Sequence, residues 1–106
     1  VRRDGRMRVD IDARRVWCAN KELLPALSKP QYRLLVLLYL HPGDVCTREE
    51  VIRAVWPDVI EEGVTEQSID ALVRRLRDRL TECDQEHQYV ETVRGHGFRL
   101  DNPMNG

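Results

Sequence analysis

Apolar residues recur at helical spacing in three stretches in the middle of the chain. In the stretch 65–81 they lie three or four positions apart, and at about 100° per residue they form one stripe: Ile69, Leu72, Val73, Leu76 and Leu80. The stretch 29–40 is apolar nearly all round, which predicts a central core helix too short to span a bilayer. The third predicted helix lies between 47 and 56.

Residues that favour helix starts precede all three stretches. Ser28 with Gln31, and Thr47 with Glu50, have the spacing of capping boxes, in which each side chain accepts a hydrogen bond from the other residue's backbone amide. Thr65 is a predicted cap for the last helix. These signals place the three helix starts at 28, 47 and 65.

Strand patterns flank the helices. Near the amino end, Met7, Val9 and Ile11 alternate with polar residues, a turn is predicted at 12–14, and strands are predicted at 15–18 and 22–24. A brief strand is predicted at 45–46, and a hairpin at 89–100 with its turn at 95–97. The 106 residues therefore predict one α+β domain with an amino-terminal antiparallel sheet, a three-helix core and a carboxyl-terminal β-hairpin.

The face of the 65–81 helix opposite its apolar stripe is polar and carries arginine. Four residues lie on this face, with Arg75 beside them: Gln67, Ala71, Arg74 and Asp78. The guanidinium suits phosphate oxygens and guanine edges, and a helix of this width fits a major groove. The same pattern is also typical of a solvated face, on which Asp70 and Asp78 form weak ion pairs with Arg74.

The hairpin supplies a second cationic element. Arg94 lies near the predicted tip, next to Gly95, which permits positive φ. A basic helix followed by such a hairpin has two prongs, of which one can enter a groove while the other reaches the neighbouring backbone or minor groove. The alternative for Arg94 is a surface ion pair with Glu91 or another carboxylate.

Three blocks of the sequence together resemble a known family. They are residues 69–77 (IDALVRRLR), residues 92–98 (TVRGHGF), and residues 42–49 (PGDVCTRE) followed by Val55 and Trp56. They resemble the OmpR/PhoB-type winged-helix domain, the output module of many bacterial response regulators. The resemblance covers nearly the whole chain and implies a winged helix-turn-helix domain that binds specific double-stranded DNA, with helix 65–81 in the major groove and hairpin 89–100 as the wing.

The polar face and the resemblance together give ten candidate DNA-binding residues: Trp56, Gln67, Ser68, Ala71, Arg74, Arg75, Arg77, Asp78, Thr92 and Arg94. Thr92 and Arg94 match wing positions that contact DNA in the family. Trp56 is interpreted either as partly core or as a phosphate contact through its indole N–H. Arg77 is either a structural partner of Asp70 or a phosphate contact.

Some positions depart from the family pattern. Leu72 stands where members often carry a histidine that reaches phosphate, and we predict that it is buried. Gln67 replaces a basic residue of some relatives, and Phe98 replaces a frequent tyrosine. Fewer backbone contacts imply a modest affinity for a single domain, so we expect repeated half-sites, and a homodimer on DNA, to supply the rest.

The resemblance also implies partners and a larger protein. Response regulators of two-component phosphorelays carry a receiver domain ahead of this domain, and no receiver pattern is found here. We therefore expect residues 1–106 to be one winged-helix domain of a larger regulator, controlled either by such a receiver domain or by another fused module. The loop 57–64 corresponds to one that meets RNA polymerase in activating relatives. Its acidic residues Asp58, Glu61 and Glu62 are repelled by phosphate, which predicts that the loop faces away from DNA.

The net charge of −1 is unusual for a nucleic-acid binder. Arginines nevertheless cluster near the amino end and on the 65–81 helix, while acidic residues crowd the middle, so we expect a localised basic footprint. The rival hypothesis is a winged helix that binds another protein, without specific DNA binding, through its acidic loop and polar helix face. The net acidity and Leu72 favour this rival.

Other function classes have little support. Cys18, Cys46 and Cys83 are odd in number and widely spaced, which indicates reduced thiols in a cytoplasmic protein and matches no zinc motif. No acid, base and nucleophile are placed to activate one another, so we expect neither an enzyme nor a cofactor. No apolar run has the length of a membrane span, so no membrane association is expected.

Overall fold

In a computed structural model that describes residues 5–59 and 63–104, the chain runs from a sheet through three helices to a hairpin. The amino-terminal strands are β1 (Met7–Asp10), β2 (Arg15–Cys18) and β3 (Lys21–Glu22). The helices are α1 (Lys29–Tyr39), α2 (Arg48–Val55) and α3 (Glu66–Cys83). The hairpin consists of β4 (Val90–Val93) and β5 (Gly97–Leu100). This order confirms the predicted winged-helix architecture.

The amino-terminal sheet is antiparallel, with strand order β1-β2-β3, and buries one face: Met7, Val9, Val16 and Cys18. At the β2–β3 turn, Ala19 and Asn20 have φ of 51° and 66°, the left-handed conformation of a two-residue hairpin loop. This tight turn pairs Lys21 with Cys18, so β3 begins at 21 rather than at the predicted 22 and ends two residues before the predicted 24. Ile11, predicted within β1, is 43% exposed because the turn at 11–14 has already begun.

Side chains cap the first turns of all three helices, as predicted. Ser28 Oγ accepts from the Gln31 amide at 3.3 Å, and Gln31 Oε1 accepts from the Ser28 amide at 3.1 Å. Thr47 and Glu50 form the same box at α2, and these hydrogen bonds lower the pKa of Glu50. Thr65 accepts from a backbone amide in the first turn of α3. The caps fix where each helix enters the core.

The core is formed by all three helices and the two sheets. α1 contributes the fully buried Leu34, Leu35 and Leu38, and all five residues of the predicted α3 stripe are buried, with Leu72 6% exposed. Leu40, predicted within the first helix, instead caps it and is exposed, because the chain turns at 41–44 towards the hairpin. Within the described residues, no helix combines the length and apolar composition needed to cross a membrane.

The hairpin is attached to the segment before α2. Cys46 N donates to Phe98 O at 2.7 Å, and Phe98 N donates to Cys46 O at 2.9 Å. The strand predicted at 45–46 is thus reduced to this single bridge at Cys46. Gly97 has φ of 151°, and a Cβ there would collide with the Cys46 carbonyl, so only glycine allows this close approach.

Arg6, Asp84 and Tyr89 form a polar cluster, here named the terminal clamp, that joins the amino-terminal segment to the chain after α3. Arg6 Nε and Nη2 donate to the two Asp84 oxygens at 2.6 and 2.9 Å, and the Tyr89 hydroxyl donates to Asp84 Oδ2 at 2.6 Å. Asp84 is only 5% exposed. The hydrogen bonds from Arg6 hold the pKa of Asp84 well below its usual range.

The two ends of the described chain lie side by side. The Arg6 amide donates to the Pro103 carbonyl at 2.8 Å. The Asn102 side chain accepts from the Met7 amide at 2.7 Å and donates to the Met7 carbonyl at 3.0 Å. The segment after β5 therefore pairs with the segment that leads into β1.

Candidate nucleic-acid interface

α3 separates a buried apolar stripe from an exposed polar face. Five of the candidate residues have exposed side chains on this face: Gln67, Ser68, Arg74, Arg75 and Asp78. Ala71 lies among them and is half-buried. Because the stripe packs against the core, this polar face is the surface that α3 presents to solvent. The predicted division of the helix into two faces is confirmed, and the assignment of DNA contacts to individual residues stays a prediction.

Arg74 and Arg75 form no hydrogen bond or ion pair within the part of the chain that the structure describes. The predicted pair between Asp70 and Arg74 is wrong, because the Asp70 carboxylate faces Arg48 of α2 at 3.5 Å. The predicted pair between Arg74 and Asp78 is likewise not formed among these residues. An exposed guanidinium without a partner keeps its five N–H donors available for solvent or a bound anion.

Arg48, the first residue of α2, joins three elements at the start of α3. Its Nη1 lies 2.8 Å from Glu66 and 3.5 Å from Asp70, and its guanidinium lies 5.3 Å above the Phe98 ring of β5. The sequence alone did not indicate this role of Arg48. The spacing of Glu66 and Asp70 on one helix face was the available signal, but nothing local identifies a partner 22 residues away.

A cleft of about 520 Å³ opens beside the amino-terminal half of α3. Half of the ten candidate residues line it: Trp56, Gln67, Ser68, Ala71 and Arg75. The Ser68 hydroxyl lies 3.0 Å from Thr65 Oγ1, so it belongs to the cap of α3 as well as to the cleft. The structure therefore places these five residues on one continuous surface with Arg75 as its cation.

Trp56 follows the last residue of α2, and its amide donates to Ile52 O at 2.8 Å. Its side chain is half-buried and packs against the hydrophobic core, while it also lines the cleft beside α3. The packing interpretation of Trp56 is thus supported. Its phosphate contact through the indole N–H stays a prediction.

Arg77 holds the hairpin against α3. Its Nε donates to the Val90 carbonyl at 3.0 Å, and its Nη2 donates to Thr92 Oγ1 at 2.6 Å. The predicted partner Asp70 is wrong, because Arg77 projects towards β4 while Asp70 faces α2. Arg77 is therefore a structural partner of the wing, and it occupies one acceptor position of the exposed Thr92 hydroxyl.

Arg94 occupies the corner of the wing turn. The His96 amide donates to the Val93 carbonyl at 2.9 Å, and Gly95, with φ of 80°, takes the position of this turn that favours glycine. The alternative pair of Arg94 with Glu91 is wrong, because Glu91 lies directly across the hairpin from Arg99 and pairs with it at 3.0 Å. Arg94 is exposed at the tip, as predicted.

The acidic loop is described only in part. Asp58 and Val59 are exposed, and the Val59 amide donates to the Trp56 carbonyl at 3.1 Å. Glu61 and Glu62 lie outside the described residues. The direction in which this loop faces stays a prediction.

The pattern of a protein family described as "Transcriptional regulatory protein, C terminal" matches residues 21–100. The chain belongs to this family. Its sequence is 36% identical over 93 residues to the transcriptional regulatory protein CssR of Bacillus subtilis, an alignment that covers 88% of this chain and 38% of CssR. This membership confirms the resemblance to the OmpR/PhoB-type output domain. The chain spans about a third or less of the length of several curated relatives that it matches.

Solved structures of this family share the fold. The RstA DNA-binding domain of Klebsiella pneumoniae, in complex with the RstA box, has a TM-score of 0.74 and 26% identity, and the match covers 92% of each chain. The DNA-binding domain of the response regulator AdeR, in complex with an intercistronic region, has a TM-score of 0.76 and 29% identity. That match covers 96% of this chain and 100% of the AdeR chain.

Proposed function

We propose that this domain binds a specific sequence in double-stranded DNA as the output domain of a bacterial transcription regulator. α3 enters the major groove, and the β4–β5 hairpin lies on the adjacent groove or backbone. The observation that carries the proposal is the set of exposed arginines without protein partners in the described chain, Arg74 and Arg75 on α3 and Arg94 on the wing. The family, and the DNA complex of RstA, support it.

The polar face of α3 offers side chains that suit base edges. Arg74 and Arg75 can each donate two parallel hydrogen bonds to a guanine, and Gln67 can pair with an adenine. Asp78 can accept from a cytosine amino group, and Ala71 can contact a thymine methyl. Trp56 and Ser68 line the cleft beside this face. In this proposal their N–H and O–H groups contact the neighbouring phosphates, and these contacts position the helix without reading sequence.

The wing acts in two parts. Arg77 and Thr92 fix the hairpin to α3 through their 2.6 Å hydrogen bond, so Arg77 positions the wing. Thr92 keeps its hydroxyl hydrogen for a phosphate oxygen, and Arg94 at the tip reaches the minor groove or the adjacent phosphates.

The buried Leu72 leaves no polar side chain for a phosphate at its position, which lowers the affinity of a single domain. Two linked domains overcome such a weakness, because the second binding step occurs at high effective concentration. The proposal therefore includes a homodimer on repeated half-sites.

The rest of the proposal concerns the longer protein. It is a cytoplasmic response regulator in which a receiver domain controls this domain, and the domain itself catalyses no reaction. Loop 57–64 meets RNA polymerase. Replacing Asp58, Glu61 and Glu62 by their amides should leave DNA affinity nearly unchanged and lower transcription from the target promoter in a reporter strain. A collapse of DNA binding in this variant would reverse the proposed orientation of the loop.

Selection from a random pool of double-stranded DNA tests the central proposal, followed by titration of the selected site at several salt concentrations. We expect one enriched motif and an affinity that falls steeply with salt. The double variant Arg74→Ala, Arg75→Ala should lose the preference for the motif, whereas the matched control Arg8→Ala, on the amino-terminal sheet, should keep it. No enriched motif and no salt-dependent binding would instead favour the protein-interaction module.

A further inference from the structure

Cys83, at the carboxyl end of α3, lies against the turn between β2 and β3. Its thiol donates to the Lys21 carbonyl at 3.3 Å. Lys21 is the residue paired with Cys18 across this turn, and directly paired residues of an antiparallel ladder have Cα atoms about 4.5 to 5.5 Å apart. The Cys83 sulfur therefore lies close to the backbone of Cys18, and the two thiols interact, although the two residues are far apart in sequence.

The two thiols differ in their access to solvent. Cys18 is 0% exposed, and burial together with its interaction with Cys83 raises its pKa. Cys83 is half-buried and opens on a surface cleft of about 310 Å³, whose polar rim includes Lys21, Arg79 and Glu82. A small oxidant can thus reach Cys83 from solvent, whereas it cannot reach the buried Cys18 directly.

We propose that Cys83 and Cys18 form an oxidisable dithiol, which a hydroperoxide converts into an intramolecular disulfide between the amino-terminal sheet and α3. This inference is independent of the proposed DNA binding. Disulfides in reducing compartments are transient and often regulatory, so the bond is expected to be reversible by a dithiol reductant.

The reaction proceeds in two balanced steps. The Cys83 sulfur attacks the O–O bond of the hydroperoxide, which gives a sulfenic acid at Cys83 and releases water or an alcohol. The Cys18 sulfur then attacks the Cys83 sulfur, forms the S–S bond and displaces the hydroxyl group, which leaves as water with the Cys18 thiol proton. Two thiols lose two electrons in total, and one hydroperoxide accepts them.

The third cysteine provides an internal control. Cys46 is buried at the bridge to Phe98, and burial raises its pKa. Within the described residues, Cys46 forms no hydrogen bond with Cys18 or Cys83, and neither of these thiols contributes to the shift of its pKa. Oxidation of the folded domain should therefore spare Cys46.

Peptide mapping tests the proposal directly on the wild-type domain. The folded protein is treated with a small molar excess of hydrogen peroxide, the remaining thiols are alkylated, and the protein is digested with trypsin without reductant. Trypsin places the three cysteines on separate peptides, residues 16–21, 34–48 and 80–94. We expect peptide 16–21 joined to peptide 80–94, with a mass lower by two hydrogens than the sum of the two, and an alkylated Cys46.

The controls separate native geometry from random oxidation. In 6 to 8 M urea, roughly the range that unfolds small domains, the same treatment should give mixed pairings that include Cys46. Cys83→Ser keeps a hydrogen-bond donor to Lys21 and should abolish the link, whereas Cys46→Ala should not change it. Dithiothreitol should restore both thiols. Overoxidation of Cys83 without a link to Cys18, or links only between two protein molecules, would overturn the proposal.

Discussion

At the terminal clamp, Arg6 donates two hydrogen bonds to a buried carboxylate, while on the exposed face of α3 Arg74 and Arg75 have no such partner among the described residues. The residue type is the same in both regions. What differs is whether an acceptor lies within reach in the folded chain. Arg6 at the clamp therefore serves the fold, whereas Arg74 and Arg75 are left available to a ligand.

The comparison implies that mutations in the two regions affect different measurements. Removing a partner at the clamp leaves a desolvated group without its hydrogen bonds, which costs folding free energy. Removing an exposed arginine leaves nothing unsatisfied in the fold, so the cost falls on binding. Five variants break or sharpen this contrast, and they are ordered by expected effect.

The largest effect is expected for Asp84→Asn. The amide cannot accept both hydrogen bonds from Arg6, so the free energy of unfolding should fall by about 2 to 3 kcal/mol. Urea unfolding monitored by circular dichroism measures it. The control is Asp78→Asn on the exposed face of α3, which should change stability by less than about 0.5 kcal/mol. Equal losses in the two variants would remove the distinction between the regions.

The pH dependence sharpens the same prediction. Because the pKa of Asp84 is lowered in the folded state, its ionised form contributes stability above its unfolded pKa of about 3.9 and loses that contribution as pH falls towards the folded-state value. The difference in unfolding free energy between wild type and Asp84→Asn should therefore be constant near neutral pH and shrink below about pH 4. A difference that grows on acidification would contradict the assignment.

Next in size are the separate variants Arg74→Ala and Arg75→Ala. Each should weaken binding to the selected DNA site by about 1 to 3 kcal/mol if it reads a base. Unfolding in urea should remain as in the wild type. Fluorescence anisotropy with the selected site and with random DNA measures the loss of specificity. Unchanged affinity in both variants would show that α3 does not present these residues to bases.

A smaller effect is expected for Arg77→Ala, because Arg77 lies on α3 but, like Arg6, is hydrogen-bonded within the fold. Its side chain carries two hydrogen bonds between α3 and the wing, so their loss should lower the free energy of unfolding by about 1 to 2 kcal/mol. The DNA affinity should fall with it, because the wing is no longer fixed. Amide hydrogen exchange in β4 should increase relative to wild type. A loss of affinity without any change in stability or exchange would make Arg77 a direct DNA contact instead.

The smallest effect is expected for Arg94→Ala at the wing tip. A single phosphate contact contributes about one unit to the slope of log affinity against log salt, so the variant should lower that slope by about 1 on specific and random DNA alike. A larger loss on sites with narrow A·T tracts would indicate minor-groove reading. His96→Ala serves as a neutral control in the same turn. An unchanged affinity and slope on every DNA would exclude the tip from the interface.

The sequence predicted those parts of the fold that depend on local spacing. The α3 stripe, the two capping boxes and the hairpin turn all follow from residues within a few positions of one another, and the structure confirms them. The burial of Leu72 was predicted from its place in the stripe. The ends of α1 and β3 differ from the prediction by one or two residues, because tight turns at 19–20 and 41–44 decide them.

The candidate site was predictable only to the level of its exposed face. The partners of Arg77 and Arg48 lie 13 to 22 residues away, and Asp84, the partner of Arg6, lies 78 residues away. For Arg77, helical spacing suggested the nearer acceptor Asp70, which is incorrect. The hydrogen bonds that commit an arginine to the fold arise from tertiary packing. Local sequence can therefore predict which arginines are exposed, but not which of them are already hydrogen-bonded to other residues of the fold.

The side-by-side arrangement of the first and last described segments suits this domain to attachment within other proteins. The Arg6 amide is hydrogen-bonded to the Pro103 carbonyl, and the Asn102 side chain is hydrogen-bonded to the Met7 backbone. A segment attached before the domain and a segment attached after it would therefore begin close together in space. Such a unit can be joined to another domain at either terminus, or inserted into a surface loop of a host protein, without stretching its own fold. The same proximity makes the domain suitable for circular permutation, in which a short linker joins the original termini and new termini are opened elsewhere.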